Sequence, residues 1–186
     1  MKMRSPTRLP ASWALACLLT ACPDANEDDG ADDGGRDPGC MCIADQSMDQ
    51  STPLAPTCGT LLCPRADYDY DNPEQLPNTD DIDCALTALR DRTPGFVRWY
   101  VSSGGGQETD EGYILINADG TAVHRHWGNA DLAFIADDAV FGELRPAADY
   151  DACLANADPL QRLACLRQTL ASESAVCDPG WFIEYI

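Results

Sequence analysis

Hydrophobic residues recur along the second half of the chain at two different periods. From Asp80 to Asp91, Ile82, Ala85, Leu86 and Leu89 fall three and four residues apart, which gathers them on one face of a helix. Acids in its first turn suit the helix dipole, and Thr93-Pro94-Gly95 ends it. From Phe96 to Ser103 the period drops to two, with Val97, Trp99 and Val101 on one side, so this stretch predicts a strand. Gly112 to Asn117 and Thr121 to Trp127 predict two more strands around Asn117-Ala118-Asp119-Gly120-Thr121. That turn reads as type I followed by Gly120 in a left-handed bulge. Ala139 to Arg145 predicts a fourth strand, and Asp149 to Ala155 a short helix. Asp158 is placed to cap another helix, with Pro159 at its first position, running to about Leu170. Trp181 to Ile186 reads as a last strand.

This order predicts an α+β domain over residues 80–186. The expected core is a small antiparallel sheet of four to five strands, with flanking helices covering one face. The register of the central hairpin follows from its turn. If Asn117 pairs with Thr121, Ile114 lies opposite His124 and Ile116 opposite Ala122. The two histidines then share a face with these isoleucines, and Val123, Arg125 and Trp127 take the other. A two-residue turn would reverse the partners, placing the histidines beside Tyr113 and Leu115.

The first half of the chain carries no such periods. Residues 1–21 join a positive start (Lys2, Arg4, Arg8) to an apolar run from Ala11 to Leu19, about half the ~20 residues that span a bilayer. The run ends in Leu19-Thr20-Ala21-Cys22. This resembles the lipobox of bacterial lipoproteins: an aliphatic residue, two small residues and a cysteine. The resemblance covers only the first 22 residues. It implies cleavage before Cys22, lipidation of that cysteine, and a protein held by lipid to a membrane outside the cytoplasm, inner or outer. Residues 22–39 follow as an acidic, glycine-rich stretch with no large apolar side chain, expected to form a disordered tether. Residues 40–79 are rich in cysteine and turn formers and read as an irregular arm.

Cysteine parity fits this organisation. Without Cys17, lost with the signal, and Cys22, eight cysteines remain: Cys40, Cys42, Cys58, Cys63, Cys84, Cys153, Cys165 and Cys177. In an oxidising compartment an even set predicts four disulfides. Five of these cysteines lie at or before Cys84 and three lie after it, so at least one bridge must join the two groups. The spacing leaves the pairing open. A four-thiolate zinc site at Cys40, Cys42, Cys58 and Cys63 is the competing use of the first four.

The mature chain keeps all 31 acidic residues and nine of the 12 basic ones, a net charge of −22. Such a chain repels phosphate backbones, which excludes nucleic acid as a natural partner.

Two places carry candidate chemistry. His124 and His126, the only histidines, stand two apart on one predicted strand, so both imidazoles share a face and could hold zinc with a third ligand from a carboxylate. Asp67, Asp69 and Asp71 alternate with Tyr68 and Tyr70. In an extended segment three carboxylates would line one side, where calcium is the natural counter-charge. Asp80, Asp81 and Asp83 could fold back onto them. The glycine-rich Ser102 to Gln107 lacks the Gly-Lys-Ser/Thr of a phosphate loop and reads as a hairpin connection. The leading expectation is a lipid-anchored envelope protein acting as a binding module, with an envelope or extracellular protein as partner and Trp99, Trp127 and Trp181 as candidate contacts. Two rivals remain: a metal-dependent hydrolase using His124 and His126, and a calcium-stabilised structural protein.

Overall fold

The computed structural model describes residues 37–44 and 54–184. The expected signal segment, Cys22 and the tether up to residue 36 lie outside the described residues. Among those described, no helix is long and apolar enough to cross a membrane.

The fold is α+β, with eight strands and three helices. In chain order these are β1 (Ala66–Asp69), α1 (Thr79–Arg90), β2 (Gly95–Ser103), β3 (Glu108–Ile116), β4 (Thr121–Ala130), β5 (Ala133–Ala136), β6 (Ala139–Leu144), α2 (Ala147–Leu154), α3 (Pro159–Arg167), β7 (Leu170–Asp178) and β8 (Trp181–Glu184). The sheet is larger than the four to five strands expected, and it is mixed. β1, from the stretch read as an irregular arm, pairs in parallel with β2, while the other pairs are antiparallel. Two other strands were missed for a simple reason. β5 is only four residues long, and β7 is mostly exposed, so neither shows a hydrophobic alternation. The last helix stops at Arg167, and Leu170 already belongs to β7.

The expected caps form. Asn78 accepts from the Asp80 amide at the start of α1, and Asp158 accepts from the Leu160 amide at the start of α3. The β3–β4 turn also forms: the Asn117 amide donates to the Thr121 carbonyl at 2.9 Å, and Gly120 has φ +87°, a conformation that favours glycine. The register is therefore the first of the two alternatives, with Ile114 opposite His124 and Ile116 opposite Ala122.

Both faces of the sheet are buried, not one. On the first, Val97, Trp99, Ile114, Ile116 and Ala122 pack against Ile82, Leu86 and Leu89 of α1, Tyr150 of α2 and Leu163 and Leu166 of α3. On the second, Tyr113, Leu115, Val123 and Trp127 pack with Ala139, Cys177, and Cys40 and Ile43 of the cysteine-rich segment. The run Tyr113–Ile116 is buried at every position, the signature of a strand covered on both sides. Trp99 and Trp127, expected as surface contacts, belong to these two cores; Trp181 is half-buried.

Eight cysteines pair at disulfide distance: Cys40–Cys177, Cys42–Cys58, Cys63–Cys84 and Cys153–Cys165, with Cα separations of 5.2, 5.2, 5.9 and 6.2 Å. The first bridges 137 residues and is the long link that the odd counts required. Closing so wide a loop removes on the order of 5 kcal/mol of unfolded-state entropy on the chain-entropy relation. With these partners, Cys40, Cys42, Cys58 and Cys63 are not gathered as a four-thiolate zinc site.

Beside this bridge lies the one fully interior charged pair among the described residues. Arg125 is fully buried, and its guanidinium donates to the Asp178 carboxylate, which is only 6% exposed, and to the Pro179 carbonyl at 3.4 Å. Removing one partner strands the other charge in the core. Arg125→Met is therefore expected to cost about 3–5 kcal/mol, while Arg125→Met/Asp178→Leu recovers most of that loss. Urea unfolding of the oxidised protein measures both; equal losses in the two variants would show that the pair itself, not the stranded charge, supplies the stability.

Candidate functional site

Strand β4 divides its far edge between two neighbours. Thr121–His124 pairs with β6, and Trp127–Ala130 pairs with β5. β6 carries β7 outward, and β5 carries β8, so the sheet forks at residues 125 and 126. A side chain on β4 at the fork faces a wedge and not a continuous sheet. The alternation of the strand sends Arg125 to one side and both histidines to the other.

The wedge holds a cleft of about 450 Å³, lined by His124, His126, Asp137, Asp138, Val140 and Glu173 with the backbone of Ala136 and Gly180 beside them. Two smaller hollows of about 240 and 250 Å³ adjoin the His126 side chain, the first walled by Trp99, Asp110 and Arg167, the second by Thr109, Trp127 and Ile135.

His124 is the inner residue. Its ring stacks on Trp99, with centroids 5.4 Å apart and planes 14° from parallel. The stack has room because Gly112 lies beneath it. A Cβ there would come within 2.1 Å of the indole. The Nε2 of His124 is buried and meets no hydrogen-bond partner among the described residues. The Arg167 backbone at the end of α3 offers the ring an acceptor. Burial, and after it the neighbouring His126 ring, push the His124 pKa down to about 4. The imidazole is thus neutral near pH 7, with its Nε2 buried and unpartnered.

His126 is the outer residue, its side chain 44% exposed. Its Nε2 lies 2.7 Å from the Asp137 carboxylate, and its Nδ1 lies 3.8 Å from Asp110. Asp110 is itself held in place. It accepts from the Trp99 indole at 3.2 Å and from the Arg167 guanidinium. The two imidazole centroids are 5.8 Å apart, with planes tilted by 45°.

The aspartates of the other candidate site are not brought together. β1 spans only residues 66–69, so the extended geometry ends before Asp71. Asp67 pairs with Arg65, Asp69 accepts from the Asp71 amide, and Asp71 reaches across to the Gly105 amide in the glycine-rich turn. Of the acids that could fold back, Asp81 accepts from Asn78 and Asp83 from Arg162. Among the described residues, no three His, Cys, Asp or Glu side chains are already gathered at metal-binding distance, here or at the histidines.

Asp110, Asp137, Asp138 and Glu173 were not anticipated as neighbours of the histidines. Asp110 follows from the same hairpin register, two residues beyond the histidine's partner Gly112. Asp137 and Asp138 leave the end of β5, which carries no sequence signal. No family model, curated protein or solved structure matches this chain, so the cleft's own geometry is what bears on function.

The buried neutral ring predicts a pH dependence of stability. The folded state keeps His124 unprotonated down to about pH 4, whereas the unfolded chain protonates it near the ordinary 6.5. Between those values the unfolded state binds more protons. The stabilisation is whole above about 6.5 and is lost as the pH falls towards about 4, by about 2–3 kcal/mol. Urea unfolding at pH 7 and pH 4 should show this loss in the native protein over and above that of His124→Gln. Parallel losses in both would mean that the ring is not held neutral.

Proposed function

We propose that this chain is a lipid-anchored protein of the bacterial cell envelope whose disulfide-braced domain is a binding module for a cationic ligand. Cys22 carries the lipid, residues 23–36 stand the domain off the membrane, and the fork cleft takes the ligand. The observation that carries the binding site is the composition of the cleft wall. Arginines pair with acids at five other places, namely Arg65–Asp67, Arg90–Asp91, Arg125–Asp178, Arg162–Asp83 and Arg167–Asp110. Asp137, Asp138 and Glu173 have no arginine partner among the described residues, and all three face one cleft beside a neutral histidine. Low-dielectric walls focus that negative field, and the overall charge of the chain reinforces it at low salt.

The anchor is supported by Leu19-Thr20-Ala21-Cys22, by the even cysteine count that remains once Cys22 is set aside, and by the pairing of those eight. A metal-dependent hydrolase is a second reading. It is favoured by the meeting of both imidazoles and Asp137 in one concave site, and is checked by zinc-dependent turnover of a simple ester such as 4-nitrophenyl acetate, lost in His126→Ala. The calcium-stabilised reading lacks comparable support, because its aspartates have separate partners.

Two measurements test the proposal. In a bacterial host grown with an alkyne fatty acid, the chain should take up label and sediment with membranes, and Cys22→Ser should do neither. Label persisting on Cys22→Ser would remove the anchor. Spermidine titrated into the mature chain at low salt, followed by tryptophan fluorescence, should bind saturably. Asp137→Asn/Glu173→Gln should weaken that binding at least tenfold; unsaturable or unchanged binding would remove the cleft as the site.

A further inference from the structure

The cleft has the donor set of one kind of ion in particular. We infer that His124, His126 and Asp137 form a zinc site, with its fourth position open into the fork cleft. The inference rests on the reading of that cleft as a cation site and names the cation.

The distances come first. Zinc binds imidazole nitrogen at about 2.0–2.1 Å in tetrahedral geometry, which keeps the centroids of two ligating rings roughly 5–5.5 Å apart. The His124 and His126 centroids are 5.8 Å apart. Neighbouring ligand atoms on such an ion sit roughly 3 Å from each other. The Nε2 of His126 and the Asp137 carboxylate are already 2.7 Å apart. With His124 fixed by its stack on Trp99, the exposed His126 and Asp137 side chains are the ones that would turn to complete the site.

The state of each donor is the second argument. A metal takes the lone pair of a neutral imidazole, and its ligands commonly donate their other N–H to a carbonyl or carboxylate behind them. Each ring has such a group near its other nitrogen, at His126 a carboxylate 3.8 Å away. Behind His124 stands the Arg167 backbone, and facing Nδ1 of His126 is Asp110, itself held by Trp99 and Arg167. The His124 Nε2 is buried without a partner. An unsatisfied buried polar atom carries a desolvation cost that a bound ion removes. Trp99 and Arg167 thereby act as positioning residues for the site.

Charge and chemistry select the ion. Two neutral imidazoles and one carboxylate leave one positive charge on a divalent ion, and Asp138 and Glu173 line the same wall to balance it. Calcium and magnesium take oxygen donors, whereas imidazole suits zinc and its neighbours in the first transition row. The open fourth position belongs to water or to a ligand held in the cleft.

The test is isothermal titration of zinc into the full mature chain, stripped with chelator and held oxidised at pH 7.5. One equivalent should bind. His126→Ala and Asp137→Asn, both at exposed side chains, should each weaken binding at least tenfold, with far-UV circular dichroism unchanged. Asp69→Asn should have no effect, and a hundredfold excess of calcium should not compete. Cobalt in place of zinc should give the strong visible absorption of a tetrahedral site. Absence of zinc binding, or binding that survives both His126→Ala and Asp137→Asn, overturns the zinc site. In that case saturable spermidine binding sensitive to Asp137→Asn would leave the cation cleft standing without zinc; loss of both would remove the cleft as well.

Discussion

The buried pair of Arg125 and Asp178 is the constraint around which the rest of this fold is arranged. Taking two charges out of water costs several kcal/mol for each ion, and their attraction offsets this only when the geometry is tight and the remaining hydrogen-bonding atoms find partners. Arg125 sits on the central strand β4, and Asp178 ends β7, next to Cys177 and its bridge to Cys40. The guanidinium also holds the Pro179 carbonyl, on the connection that carries the chain from β7 into β8. One side chain thus fixes the point at which the chain leaves one arm of the sheet and enters the other. The Gly180 amide then donates to Asp138 across the wedge at 2.6 Å, and Trp181 pairs with Ala136. Arg125 thus holds the β7–β8 connection from the side of β4 opposite the cleft.

His124, Arg125 and His126 are consecutive, and strand alternation divides their work. The cation goes to the buried side, where it is neutralised by Asp178. The two imidazoles go to the cleft. Had the register slipped by one residue, Arg125 would face Asp137 and Glu173, cancelling the negative field of the cleft, and the histidines would enter the second core. The turn at Asn117–Thr121 is what prevents the slip. A glycine at position 120, 16 residues before the end of β5 and not part of any site, therefore has a direct consequence for the electrostatics of the wedge.

That turn is also why the central part of the fold was legible in the sequence. The hairpin register, the shared face of the two histidines, the helix over Ile82–Leu89 and the capped helix from Pro159 all rest on local chemistry: turn residues, periodicity and caps. What was not legible depends on distance along the chain. Asp178 lies 53 residues from Arg125, and nothing near either position announces the other. β7 was hidden because its outward residues are Ser172, Glu173 and Ser174, so it has no apolar stripe, and β1 because it sits in a stretch dominated by cysteine and turn residues. The expectation of one buried face came from the order of the elements, strands in succession with helices at either end. The unbroken run Tyr113–Ile116 already pointed to two. The acidic candidates failed to converge for a related reason. Alternation places side chains on a common face only while the strand lasts, and β1 ends at Asp69.

The pairing of the cysteines gives the histidines their significance. All eight cysteines described in the structure are paired with each other, so thiolate, the strongest zinc donor a protein has, is absent from their chemistry. Carboxylates alone favour hard ions such as calcium, and they are spread over the whole surface of this chain. Nitrogen donors are what remain to distinguish one place from another. The chain has two histidines, and the fold brings both to one wedge that Asp137, Asp138 and Glu173 also line. Each feature taken alone has an ordinary structural explanation: a stacked imidazole, a surface ion pair, an acidic rim. Their coincidence at the fork, on the side of β4 turned away from Arg125, is what makes the cleft the place where ligand chemistry concentrates.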